Sequence, residues 1–190
     1  MTSKTWKVLH RLPTAGDIYS VSFAPDNQTL ATGSWKGAVQ LWNWKSGKQI
    51  RVVQAALNSA ASATSYTLVL FSPNSKLLST SCWQDAAVKL WDASTGRQVR
   101  AIAGGVTIPM QSGGNLVYGI NTQAWSPDSK KLVTDSGLAM VLWDITTGQI
   151  LHKFYEGDAK FSAHDVAFSP DGKWVATASR NNTVDVWNVP

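Results

Sequence analysis

The sequence predicts an all-β fold in which one four-stranded antiparallel unit recurs four times, and three observations predict it. Short apolar runs end in proline at four places, "VSFAPD", "VLFSPN", "QAWSPD" and "VAFSPD", which carry Pro25, Pro73, Pro127 and Pro170. Each is followed by an apolar run holding a tryptophan, at Trp42, Trp91, Trp143 and Trp187. The proline-to-tryptophan distances are 17, 18, 16 and 17 residues, whereas successive tryptophans lie 49, 52 and 44 apart. A unit that is constant inside and variable in its connections is a repeat architecture.

Within a unit the elements follow in order. "YSVSFAP" alternates as a half-buried strand does, and Pro-Asp with a polar residue after it marks a tight turn. A second strand follows, "QTLATGS" in the first unit and "KWVATAS" in the last, and the third strand carries the tryptophan. The turns "DASTGRQ" and "DITTGQ" place Gly96 and Gly148 where a positive φ suits glycine. The fourth strands are "QIRVV", "QVRAI" and "ILHKF". Four short antiparallel strands, repeated, make the blades of a β-propeller. The units span about 14–53, 60–102, 115–154 and 160–190 of a single domain, residues 1–190.

Composition narrows the class. The chain has 190 residues, 44% hydrophobic and only 15% charged, which disfavours disorder and allows a sizeable core. Cys82 is the only cysteine, excluding an intramolecular disulfide and a cysteine-based zinc cluster. The start lacks an apolar run of signal-peptide length, and no stretch approaches the roughly 20 apolar residues of a membrane span. A soluble protein of the cytoplasm is expected, with the nucleus as the other compartment these features allow. The net charge of +5 is spread along the chain, with Lys130 and Lys131 the only adjacent basic pair, so a nucleic-acid arm is not indicated.

The units resemble WD40 repeats, the family marked by Trp-Asp at the end of the third strand and by "FSPDG" between the first two. The resemblance covers nearly the whole chain. Trp-Asp stands at Trp91-Asp92 and Trp143-Asp144 but is Trp-Asn at Trp42-Asn43 and Trp187-Asn188, and the Gly-His pair expected before the first strand is in no unit. The family's turn aspartate is matched by Asp85 alone; Lys36, Gly137 and Asn181 take its place elsewhere. The Asp-His-Ser/Thr-Trp network that the resemblance implies is therefore incomplete, and packing alone is expected to hold the blades.

The segment "WKVLHRL", residues 6–12, aligns with the fourth strands, while the last unit stops after its third. By the resemblance it is the closing outer strand of the last blade. Four blades are few for such relatives, and the count leaves open a small ring, two chains forming an eight-bladed homodimer, or part of a longer chain. Alignment of the fourth strands puts His10, Arg51, Arg100 and His152 at one position, read as edge protection against strand aggregation or as a basic rim for an acidic partner.

Catalysis is not expected. No serine sits in a nucleophile elbow, no phosphate loop is present, and His164-Asp165 is a single His-Asp pair beside a strand. Neither a metal nor a cofactor is expected. What remains is surface, since long loops at 55–65 and 103–119 fall on the face shared with the turns "GSWKGA" and "SCWQDA". On that face the repeat alignment gathers Tyr19, Trp35, Tyr66, Trp83, Asn121 and Arg180 as candidate partner-binding residues. A tryptophan in such a turn either folds over its own blade or stands as a rigid aromatic anchor. The expectation is a non-enzymatic scaffold that presents this face to a protein or peptide; the alternative is a basic propeller that binds nucleic acid or another polyanion.

Overall fold

The computed structural model describes residues 6–14, 16–35, 37–55, 66–82, 87–103, 106–109, 115–156 and 163–190. Their regular structure is strand. Blade 1 is β1 (Ile18–Phe23), β2 (Thr29–Ser34), β3 (Ala38–Asn43) and β4 (Lys48–Gln54), antiparallel and in sequence order. Blade 2 repeats this with β5 (Thr67–Phe71), β6 (Leu77–Cys82), β7 (Ala87–Asp92) and β8 (Gln98–Ala103). After the hairpin β9 (Val106–Pro109) and β10 (Asn115–Tyr118), blade 3 comprises β11 (Thr122–Trp125), β12 (Lys131–Asp135), β13 (Ala139–Asp144) and β14 (Ile150–Glu156). Blade 4 has three strands, β15 (Ala163–Phe168), β16 (Trp174–Ser179) and β17 (Val184–Asn188). The β-propeller architecture read from the repeats is the one the chain adopts.

Side chains of the repeated motif close its turns. After β1, the Asp26 carboxylate accepts the N–H groups of Gln28 and Thr29, and the next turn residue is left-handed: Asn27 in blade 1, Ser75 and Ser129 in blades 2 and 3, Gly172 in blade 4. After β7, Asp92 accepts the hydroxyl of Ser94 and the N–H groups of Thr95 and Ser94, and these bonds, the Ser94 hydroxyl first, hold its carboxyl down at about 2. Asn43 accepts the N–H of Ser46 in the same way. The residue after the tryptophan thus acts as an acceptor within the turn, which is why Asn serves there as well as Asp.

Packing alone does not hold the blades, contrary to the expectation from the incomplete family network. In every blade the indole N–H donates to a threonine hydroxyl on the second strand: Trp42 to Thr32 at 3.1 Å, Trp91 to Thr80 at 2.8 Å, Trp143 to Thr134 at 2.9 Å and Trp187 to Thr177 at 3.2 Å. The Trp–Thr half of the network is present where the histidine is missing.

Three apolar clusters lie between consecutive blades. Val39 and Leu41 pack with Val69, Phe71 and Trp91; Val88 and Leu90 with Trp125, Leu132 and Trp143; Met140 and Leu142 with Val166 and Val175. The blade-face register explains this, because residues one and three before each tryptophan share the face toward the following blade.

Two expectations are corrected. Closure by the N-terminal strand is not seen among the described residues: residues 6–14 carry no strand there, and the sheet of blade 4 has three. His10 instead donates from Nε2 to the Lys45 carbonyl of blade 1 at 2.9 Å. The segment 103–119, read as a loop, contains the β9–β10 hairpin, with Val106 opposite Tyr118 and Pro109 opposite Asn115. "VTIP" and "NLVY" are rich in β-formers, and the small residues around them obscured that.

Candidate partner-binding site on the axial face

The first strands of the four blades, β1, β5, β11 and β15, line an axial cleft of about 340 Å³. It is bounded by Tyr19 to Val21, Leu68 to Leu70, Asn121 to Gln123, and His164 with Asp165. The innermost strand of each sheet faces this space because the outer three strands are tied to it in order.

At one rim three aromatic rings meet. Tyr19 from β1 stacks on Tyr66, just before β5, with centroids 4.2 Å apart and planes 20° from parallel. Trp35, in the turn after β2, stands edge-on to both, 5.7 Å from Tyr19 and 5.9 Å from Tyr66. Trp35 therefore folds over its own blade and reaches the next, while about half of Tyr19 remains exposed. Burial, and then the neighbouring Tyr19, push the Tyr66 hydroxyl up to about 12, so Tyr66 is neutral at physiological pH.

Further along the cleft the walls turn polar. Asn121 sits at the entry to β11, where its N–H donates to the Asp135 carbonyl at 2.7 Å. The Asn121 Oδ1 and both side-chain polar atoms of Gln123 are buried with no protein partner among the described residues. Buried amides of this kind are hydrogen-bonded in folded proteins, so they are addressed to water or to a bound group. Asp165 accepts the N–H of Val166 at 2.9 Å and the hydroxyl of Thr122 at 3.4 Å.

Beneath Asn121 lies a carboxylate that the repeat alignment did not single out. Asp135, fully buried at the end of β12, accepts the N–H of Gly137 and the phenol of Tyr155. Burial raises its carboxyl to about 6, opposed by these bonds and by the charge of Arg180; burial and that carboxylate in turn push the Tyr155 hydroxyl up.

Of the six candidates, Tyr19, Trp35 and Tyr66 come together as one cluster, and Asn121 joins Tyr19 around the cleft. Arg180 is exposed in the β16–β17 turn and acts on Asp135 through its charge. Trp83 lies outside the described residues. Gln123 and Asp135 were missed, although both carried a signal. Gln123 replaces the valine found four residues before the motif proline in the other units, and Asp135 stands where the others have Gly33, Ser81 and Ala178. Two of the four aligned fourth-strand residues reach across to the next blade: Arg51 donates to the Ser94 carbonyl, and Arg100 to those of Thr146 and Thr147.

Blades joined around an axis, with an aromatic and amide-lined cleft at its centre, define a repeat propeller. The WD domain, G-beta repeat family matches residues 6–43, 49–92 and 148–188, more than half of the chain, and the chain belongs to this WD40 family. Each match after the first begins at or beside a fourth strand, β4 or β14. Among its relatives, Protein HIR1 of Yarrowia lipolytica is 27% identical over 90% of this chain and 18% of its own length. Nuclear distribution protein PAC1 of Arthroderma otae is 25% identical over 90% and 36%, and Protein groucho of Drosophila melanogaster 30% over 89% and 21%. The chain thus spans between about a fifth and about a third of these proteins. The computationally designed Ika4 protein shares the fold, with a TM-score of 0.73 at 20% identity over 98% of this chain and all of that one. Among the described residues no helix is long and apolar enough to cross a membrane.

Proposed function

We propose that this chain is a non-enzymatic interaction scaffold whose axial face holds an extended segment of a protein or peptide. The observation that carries this reading is the Tyr19–Trp35–Tyr66 cluster, three rings at one rim with Tyr19 half exposed and shared with the cleft. Rigid aromatic side chains bury large areas at little entropic cost, which is why they anchor interfaces. The amides of Asn121 and Gln123 lie further along the same cleft and suit the alternating N–H and C=O groups of a peptide backbone.

The test is a selection of displayed random peptides on the full chain, followed by affinity measurement at two salt concentrations. The scaffold reading predicts sequences rich in apolar anchors whose affinity changes little between about 50 and 200 mM salt. Affinity for acidic ligands that collapses over that range, as counterion release demands, would favour polyanion binding and overturn it.

A further inference from the structure

The four blades carry both halves of an interface that they do not use on one another in this structure. Three times within the chain, the residues one and three before the tryptophan of one blade pack on the residues two and four before the proline of the next. The pairs are Val39 and Leu41 against Val69 and Phe71, Val88 and Leu90 against Trp125, with Gln123 at the remaining register position, and Met140 and Leu142 against Val166 and Phe168. All but Phe168, which is half-buried, are buried. At the ends the same positions stand open. Val184 and Val186 of blade 4 are 71% and 63% exposed, and Val21 and Phe23 of blade 1 are 63% and 62% exposed.

The outer strands repeat the pattern. Gly96 of blade 2 lies under Arg51 of blade 1, and Gly148 of blade 3 under Arg100 of blade 2; a Cβ there would come within 2.3 Å and 2.8 Å of those side chains. Gly47 of blade 1 holds His10 in the same cradle, 3.0 Å from such a Cβ. Residues 6–12 therefore occupy the place of the outer strand of a blade before blade 1, yet among the described residues they pair with no strand. On blade 4, β17 is an outer edge to which no strand is paired among the described residues. The chain displays a strand without a sheet at one end and a sheet without its fourth strand at the other.

We propose that a second copy of this chain completes both ends. Val184 and Val186 of each copy dock on Val21 and Phe23 of the other, and residues 6–12 of each add to the partner's β17, closing a two-chain, eight-bladed ring. Both contacts join unlike surfaces, so two copies related by a two-fold axis satisfy every open end, whereas a contact that fails to close would propagate. Eight blades lie within the range that propellers adopt. The proposal is independent of what the axial face binds.

Solution mass by sedimentation at micromolar concentration tests it. One species of twice 20.6 kDa is expected. A single-chain mass, or an open-ended series of larger species, would overturn the proposal. Val186→Lys places a charge in the docking face, and Val8→Pro with Leu9→Pro removes an N–H toward β17 from the middle of residues 6–12, whichever face they present. Both changes fall where the single chain is exposed, so its circular dichroism should be kept while the mass falls to one chain. Val99→Lys, on an exposed position of β8 away from both ends, should leave the pair intact. Persistence of the pair in both end variants would refute the docking described.

Discussion

Tyr19 lies almost flat on Tyr66, 4.2 Å between ring centroids, so a contact that joins blades 1 and 2 at the axial rim is made by two of the side chains we propose as a partner's anchors. On that proposal, packing between the blades and recognition draw on the same residues. Tyr66→Leu should cost about 0.5–1.5 kcal/mol of stability beyond the lost area, the range of an aromatic pair, and urea unfolding measures it.

Gly33 permits the close approach of the same two blades. A Cβ there would stand 2.4 Å from the carbonyl oxygen of Thr67 and 2.8 Å from Ser20 Oγ. The Ser20 hydroxyl donates to that carbonyl at 2.7 Å and accepts the N–H of Val69, so backbone and bond alike would have to move. Gly33→Ala is expected to destabilise by about 1–3 kcal/mol, as overpacking does. Its melting temperature should fall well below that of an alanine placed at exposed Gly16, whose site has nothing within 4 Å, although its positive φ adds some strain of its own.

The indole–threonine bonds can be weighed singly. Thr134→Val keeps the shape and leaves the buried Trp143 N–H at 2.9 Å without its acceptor. The expected loss is about 1–3 kcal/mol, the cost of a buried donor left unpaired. The same change at an exposed threonine such as Thr146 should be nearly silent in a denaturant titration.

Asp135 gives the chain a pH dependence of definite sign. Its carboxyl titrates at about 6 in the folded chain against 3.8 when free, chiefly through burial. Between those values the folded state keeps a proton that the unfolded state has released, so this residue lowers stability as pH rises from about 4 to 6, by roughly 3 kcal/mol. Asp92, Asp128, Asp144 and Asp171 act in the opposite sense, since hydrogen bonds hold their carboxyls low and their contribution is lost on acidification. Asp135→Asn should remove only the first effect. Its stability relative to the parent should therefore improve by a few kcal/mol between about pH 4 and 6.5, as read by urea unfolding at each pH.

The blades were legible in the sequence because their signals are local. Proline, turn aspartate and tryptophan recur at fixed spacing, and each acts within its own hairpin or on the strand beside it. What lay between blades was harder to read. That Arg51 and Arg100 reach carbonyls of the following blade depends on how sheets stack, which no single repeat encodes. The Asp135–Tyr155 pair crosses from the second strand to the fourth and replaces a network the family places elsewhere, so a search for the family residue passed over it. At the candidate site, alignment gathered Tyr19, Trp35 and Tyr66 because turns at equivalent places share a face. It missed Gln123 because that residue occupies a core-facing position where a valine is normal.

The most direct measurement of the central claim is the affinity of a selected peptide for the parent chain and for Trp35→Ala. Trp35 lies in a turn and belongs to none of the three apolar clusters between the blades, so its loss should leave the four sheets in place. The account predicts an affinity at least about tenfold weaker, the cost of removing an aromatic anchor. Equal affinity, with the peptide still competing for the same folded chain, would contradict it.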